Sequence, residues 1–141
     1  GPLSIALTNR EPETPTETYG NALLFTFAGH DTTGHTLTWL IYELCKNQIF
    51  QRKLQREIDK FWMEQGENEI TPKDFKRTPF LTRCIMETLR LWTAVPNGTY
   101  RQLQEDEYIH GLNGLVSVPK GTYCQIFNYS RHRNPLLWGD D

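Results

Sequence analysis

The sequence predicts a mainly α-helical protein that carries one small β hairpin. The helical part is predicted by a long apolar-periodic run from Tyr19 to Leu44, enough for roughly seven or eight turns. Two shorter stretches, 49–64 and 80–92, also place apolar side chains at helical spacing. The hairpin is predicted by short β-prone runs between residues 108 and 126, separated by glycine, asparagine and proline turns.

The first helix has a clear start signal. Thr14 can cap it, Pro15 suits the first helical position, and Glu17 completes a capping box. Apolar side chains occur on most sides of the run, so we expect this helix to be surrounded by other parts of the protein. Residues 1–13 are polar and begin with Gly1-Pro2, which resembles the remnant of a cleaved tag. We therefore expect a flexible lead-in at 1–13 and the domain at 14–141.

The later elements follow from their own start and stop signals. Asn47 can end the first helix and cap the second, and Thr78-Pro79 can start the third. The remaining expected elements are a helical turn at 71–75, an extended segment at 95–101, strands at 108–110, 115–118 and 122–126, a helical turn at 127–132 and a terminal loop at 133–141.

Composition excludes several classes of function. The chain has 141 residues, one domain's worth, with a net charge of −2 and a pI of about 6.1, so nothing points to nucleic acid or an anionic membrane surface. No apolar run reaches the ~18 residues of a membrane span. Cys45, Cys84 and Cys124 are widely spaced, which indicates neither a zinc ribbon nor a disulfide framework, and favours a reducing compartment. His30 and His35 lie roughly 140° apart on a helix, so we expect no metal shared between them.

The centre of the long run is polar, from Ala28 to Gly34. Two glycines inside a helix cost about 1 kcal/mol each relative to alanine, and the acid and threonines between them add nothing to a core. Such a weakened centre indicates close approach of another group to the backbone. The alternative is a surface kink with solvated polar groups.

Glu87 and Arg90 lie three residues apart on the third predicted helix. They can form an ion pair on one side of that helix. Periodicity places this side in water, where such a pair contributes only a few tenths of a kcal/mol.

Taken together, these motifs resemble the cytochrome P-450 family of heme-thiolate monooxygenases. The resemblance covers 14–141 and lies in four motifs in the family's order: Ala28-Gly29-x-Asp31-Thr32-Thr33; Glu87-x-x-Arg90 with Leu91-Trp92 and Pro96; Val118-Pro119-Lys120-Gly121-Thr122; and His132-Arg133-Asn134-Pro135 with Trp138-Gly139-Asp140-Asp141. It implies a partial cytochrome P-450 fold in which the three helices are similar to the family's I, J and K helices.

The resemblance also implies a role for each unusual residue. Asp31 and Thr32 are the expected catalytic residues, which relay protons to iron-bound oxygen. The implied heme contacts are Ala28, Gly29, Thr33, which also supports the helix, and Arg101, which would bind a propionate. Glu87 and Arg90 become a structural ion pair. The implied substrate-pocket residues are Val95, Pro96 and Asn97.

One family feature has no match in the sequence. The heme iron of the family is held by a cysteine in a glycine-rich loop, and none of the three cysteines has that loop's flanking residues. We therefore expect a fragment without the axial ligand or other metal ligands, inactive alone. The parent would be an intracellular monooxygenase, cytoplasmic or on the endoplasmic reticulum face if anchored, that uses a small organic substrate and an electron-donating reductase.

Two alternatives stay open. The chain can be a heme-free helical module, derived from the same fold, that binds a partner protein, or an unrelated helical domain with chance motifs. The fragment interpretation predicts exposed apolar side chains on the long helix, such as Phe25, Phe27 and Trp39, and self-association through them.

Overall fold

The computed structural model describes residues 14–140, so the expected lead-in at 1–13 lies outside the described residues. The chain is mainly helical with two small antiparallel ladders. Its helices are α1 (Pro15–Lys46), α2 (Gln48–Gln65), a 3₁₀ helix (Pro72–Arg77), α3 (Pro79–Leu91), α4 (Asn128–His132) and α5 (Pro135–Trp138). Its strands are β1 (Thr99–Gln102), β2 (Glu107–Gly111), β3 (Gly114–Val118) and β4 (Tyr123–Ile126).

The predicted start of α1 is confirmed. The Thr14 hydroxyl accepts a hydrogen bond from the Glu17 N–H at 3.3 Å, and the Glu17 carboxylate accepts one from the Thr14 N–H at 2.8 Å. This capping box satisfies donors that the first helical turn leaves unpaired. The same bonds lower the pKa of Glu17, with the Thr14 backbone N–H as the largest cause.

A small core joins α1, α2 and α3. Leu40 of α1 and Leu54 and Phe61 of α2 are the buried apolar side chains among the described residues. α3 receives its N-terminal cap from α2, because the Glu57 carboxylate accepts the Phe80 and Leu81 backbone N–H groups at 2.9–3.0 Å. A carboxylate at this helix end also complements the helix dipole, so this contact sets how α3 lies on α2.

The predicted hairpin is β2–β3, which pairs Glu107 with Val118 and Gly111 with Gly114. A second ladder was not expected from the sequence. It pairs β1 with β4 from Thr99↔Ile126 to Gln102↔Tyr123. Because the two strands of this ladder are far apart in sequence, no local turn signal predicts their pairing.

The extended segment before β1 contains a turn at Gly98. Gly98 has a φ of +67°, where residues with a side chain are strained. A Cβ at this position would also collide with the carbonyl of Ile126 in β4. The turn therefore lies directly against the end of the β1–β4 ladder.

Two expectations are wrong. The end of the chain is not all loop, because Asn134 caps α5 by accepting the Leu136 N–H at 3.0 Å, with Pro135 at the first helical position. Nor is α1 surrounded on most sides by the residues described between 14 and 140. Phe25 and Phe27 are 54% and 64% exposed, as the fragment interpretation predicts, whereas Trp39 is half-buried against Trp92. The physical reason is that α2 and α3 contact α1 only toward its C-terminal part, around Leu40.

None of the helices described between residues 14 and 140 combines the length and apolar character needed to cross a bilayer.

Candidate functional site

The polar centre of α1 is a continuous helix whose side chains bond back to its own backbone. The Thr32 hydroxyl donates to the Ala28 carbonyl at 2.7 Å. The hydroxyls of Thr26, Thr36 and Thr38 make the same bond to the carbonyl four residues earlier, at 2.8–2.9 Å. These bonds satisfy the hydroxyls, and α1 continues through them as one helix from Pro15 to Lys46.

The helix surface beside Thr32 is open. A Cβ built on Gly29 meets no heavy atom within 4 Å. Ala28, Gly29 and Thr33 are exposed, whereas Asp31 and Thr32 are half-buried. The described residues therefore leave the Ala28–Gly29 surface uncovered, as they also do at Gly20 and Gly34.

His35 is a neighbour of Asp31, and the sequence predicted only that it shares no metal with His30. Its Nδ1 lies 2.9 Å from the Asp31 carbonyl oxygen and 3.5 Å from the carboxylate Oδ1. Since a carbonyl only accepts, Nδ1 must carry the proton in this arrangement. The signal was the four-residue spacing of Asp31 and His35, which places the two side chains on one helix face.

Glu87 and Arg90 form a two-pronged ion pair on α3. Arg90 Nε lies 2.8 Å from Glu87 Oε2, and Arg90 Nη2 lies 2.6 Å from Glu87 Oε1. The expectation that both face water is wrong for Arg90, which is 7% exposed, while Glu87 is 54% exposed. Residues that follow the sheet cover Arg90, since Nη1 donates to the His132 carbonyl at 2.9 Å and the guanidinium lies 5.0 Å from the Trp138 ring centroid.

The segment Val95–Asn97 is held by the end of the sheet. The Pro96 carbonyl accepts the Tyr129 N–H at 3.1 Å, and the Asn97 carbonyl accepts the Gln125 side-chain amide at 2.7 Å. Main-chain contacts of this kind fix the backbone and leave the side chains to face outward.

Arg101 is an exposed β1 residue that donates from Nη1 to the Tyr100 carbonyl at 2.9 Å. Among residues 14–140, no hydrogen bond or ion pair links Arg101 or Val95–Asn97 to Asp31 or Thr32. The structure thus places the predicted site residues in two separate groups, one on α1 and one around β1.

The cysteines do not fit the role of a heme axial ligand. Cys84 lines an apolar cavity of about 340 Å³ between α1, α2 and α3. Burial, followed by the charge of Glu57, raises the pKa of Cys84, which disfavours the thiolate that a metal ligand requires. Cys45 is exposed beyond the polar centre of α1, and Cys124 is half-buried in β4. The described part of the chain also contains no cluster of three or more histidine, cysteine, aspartate or glutamate residues that could hold a metal ion.

Known proteins resemble this chain in both sequence and fold. Residues 5–141 match the family described as Cytochrome P450. Human Cytochrome P450 4F3 is 37% identical over 116 residues, which are 82% of this chain and 22% of that protein. Cytochrome P450 4F4 of Rattus norvegicus is 36% identical over the same share of this chain and 22% of its own length. The chain thus spans about a fifth of the length of these curated relatives.

Solved structures agree with the sequence matches. The structure titled "Retinoic acid bound cyanobacterial CYP120A1" matches 96% of this chain and 30% of its own, with a TM-score of 0.76 and 27% identity. The crystal structure of a cytochrome P450, CYP102L1, has a TM-score of 0.74 over 94% of this chain. This chain belongs to the cytochrome P450 family, with a partial form of its fold.

The cytochrome P450 family has a defined chemistry. Its members are oxidoreductases of the monooxygenase class, and their cofactor is heme. The uncovered Ala28–Gly29 surface leaves room for one face of that flat group. The matches give no support to the alternative of a heme-free interaction module.

Proposed function

We propose that these residues are the distal oxygen-activating region and the K-helix region of a full-length cytochrome P450 monooxygenase. The observation that carries this proposal is the pairing of an open helix surface at Gly29 with the half-buried Asp31 and Thr32. Bound heme would supply dioxygen binding and electron transfer. The residues of this chain would supply proton delivery and shape.

Thr32 would hold a proton on the helix surface that faces the heme. Its hydroxyl already has a resting acceptor in the Ala28 carbonyl at 2.7 Å, so a change of rotamer would be enough to redirect it. Asp31 would exchange protons with solvent, since its side chain is 47% exposed and lies one residue from Thr32. Ala28 and Gly29 would contact the porphyrin, with Thr33 supporting the helix behind them.

The second group of residues would frame the heme from another side. Arg101 would turn from the Tyr100 carbonyl to a propionate, which offers a stronger, charge-assisted bond. Val95, Pro96 and Asn97 would line the substrate pocket, on a backbone already held by β4 and α4. The Glu87–Arg90 pair would keep α3 and α4 together and take no part in the reaction.

The catalytic assignment is tested in the full-length protein with Thr32→Val and a matched control. Thr38 makes the same bond, to the Gly34 carbonyl at 2.9 Å, so Thr38→Val removes an equivalent hydroxyl away from the proposed site. We expect Thr32→Val to lower the fraction of reducing equivalents that reach product by about tenfold. Thr38→Val should leave it unchanged, and equal losses in both variants would refute the assignment.

The 141-residue chain alone should lack activity, because no cysteine in it fits the axial position. The test is the absorption spectrum of the chain mixed with heme, reduced and treated with carbon monoxide. We expect the spectrum of heme without a thiolate ligand. A red-shifted, thiolate-type Soret band would show that Cys45, Cys84 or Cys124 binds iron and would overturn this part of the proposal.

The full-length protein would act on a small organic substrate with electrons from a reductase. We propose an intracellular location, cytoplasmic or on the endoplasmic reticulum face if the full-length protein is anchored there. The family membership supports these assignments at the level of the class. Reconstituted turnover that requires a reductase would support the assigned electron donor, and turnover independent of any electron donor would contradict it.

The separate chain should self-associate through α1. Leu23, Leu24, Phe25 and Phe27 are 54–64% exposed along one part of that helix, an apolar surface that soluble monomers seldom leave open. Sedimentation at increasing concentration should show dimers, and Phe27→Glu should reduce them. Ile49→Glu, at an 82% exposed position on α2, is the control. A monomer at every concentration would refute self-association.

A further inference from the structure

Two tryptophans stack where α1 meets the end of α3. The ring centroids of Trp39 and Trp92 are 3.8 Å apart and their planes differ by 3°. Both side chains are half-buried. At this distance and angle the two parallel rings overlap closely. Two overlapping indoles can share a positive charge, which makes the pair easier to oxidise than a single indole.

A carboxylate lies at the indole N–H of this pair. Trp92 Nε1 donates to Glu43 Oε1 at 3.0 Å, and the Glu43 side chain is only 22% exposed. An indole that loses an electron becomes a strong acid, and a carboxylate at hydrogen-bond distance is positioned to accept its proton. Oxidation and deprotonation can therefore occur together at Trp92.

The surrounding charges favour a neutral product. The Arg133 guanidinium lies 5.5 Å from the Trp92 ring centroid, and a positive charge at this distance disfavours a cationic indole and so favours loss of its proton. Lys46 lies 3.9 Å from the Glu43 oxygen that accepts the indole N–H, so it acts on the carboxylate and not on the indole. The other tryptophans described here lack this arrangement, because Trp62 lies edge-on to Phe61 and Trp138 Nε1 donates to a backbone carbonyl.

The aromatic contacts continue from the pair toward the surface on both sides. Tyr42 packs edge-on against Trp39 at 5.4 Å and is 48% exposed. On the other side, Arg133 bridges Trp92 to Tyr129, which is 44% exposed. Trp39 also lies seven residues from Thr32 on α1, about 10 Å along the helix axis. The pair is thus within electron-transfer reach of both the proposed oxygen site and the surface.

We propose that Trp39 and Trp92 form a one-electron oxidation site, at which Trp92 gives an electron to a high-potential metal-centred oxidant and its indole proton to Glu43. The N–H bond of Trp92 breaks, an O–H bond forms on Glu43, and the metal of the oxidant is reduced by one electron. The site does not depend on the proposed function.

The test uses the 141-residue chain and a photogenerated ruthenium(III) polypyridyl complex as the oxidant. Transient absorption and electron paramagnetic resonance would identify the radical. We expect a neutral tryptophanyl radical in the wild type. Its yield should fall about tenfold in Glu43→Gln, the effect expected when a charge-assisted hydrogen bond is lost. Trp92→Phe should remove it, and Trp62→Phe, at a 51% exposed indole on α2, should leave it unchanged.

The variants separate the proposal from damage to the fold. Glu43→Gln keeps both indoles and the size of the side chain, and circular dichroism would check its folding. A radical yield that persists in Trp92→Phe would overturn the proposal, because the exposed Trp62 or Trp138 would then be its source. An unchanged neutral-radical yield in Glu43→Gln would overturn the role of Glu43 as the proton acceptor.

Discussion

Replacement of Gly98 by alanine tests how the turn before β1 is held. Gly98 has a φ of +67°, and a Cβ there would overlap the carbonyl of Ile126 and approach the Asn128 N–H. The left-handed backbone costs an alanine about 1–2 kcal/mol. Relief of the overlap requires the end of the β1–β4 ladder to open, with the loss of one or two hydrogen bonds at about 1 kcal/mol each. We therefore expect Gly98→Ala to lower the free energy of unfolding by about 3 kcal/mol.

The matched control is Gly121→Ala. Gly121 has a φ of +85° in the turn closed by the Thr122 N–H and the Pro119 carbonyl, but a Cβ there meets no heavy atom within 4 Å. It should show the backbone cost alone, about 1–2 kcal/mol. In urea unfolding, a typical slope of about 2 kcal/mol per molar predicts midpoints about 1 M apart for the two variants. Equal midpoints with unchanged slopes would show that the Val95–Gly98 turn is not pressed against β4, and would refute the reasoning.

Three further predictions concern charged and titrating groups. Arg90→Met should lower the free energy of unfolding by about 2 kcal/mol, because it removes the bonds from the buried guanidinium to Glu87 and to the His132 carbonyl. A double-mutant cycle with Glu87→Gln should give a coupling of about 1 kcal/mol. A coupling within error of zero would show that the Glu87–Arg90 ion pair does not contribute to stability. The backbone N–H and then the hydroxyl of Thr71 lower the pKa of Asp74. The stabilisation by Asp74 is therefore present above the pKa of the unfolded carboxyl and disappears as the pH falls through the folded pKa. Asp74→Asn should be less stable than the wild type at pH 7 and equal to it near pH 2, and a pH-independent difference would count against this bond. Burial raises the pKa of Cys84. Its contribution is complete below the pKa of the unfolded thiol and declines as the pH rises above it, so the wild type should lose stability relative to Cys84→Ala between pH 7 and pH 10.

The local signals in the sequence predicted the helices and the hairpin well. The Thr14 capping box, the periodicity of α2 and α3, and the turn between β2 and β3 act within a few residues, so the sequence alone carries them. The motifs around Asp31 and Glu87 identified the family, which the comparisons confirm.

Contacts between distant segments were decided only by the tertiary structure. Periodicity placed Arg90 in water, yet the chain returns after β4 and covers it with the His132 carbonyl and the Trp138 ring. The β1–β4 ladder and the stacked Trp39–Trp92 pair likewise join residues that no local pattern links. Local hydrogen bonds and side-chain periodicity determined the elements of this protein, whereas long-range packing determined which of their faces are buried, because burial depends on segments that meet only after the chain has folded.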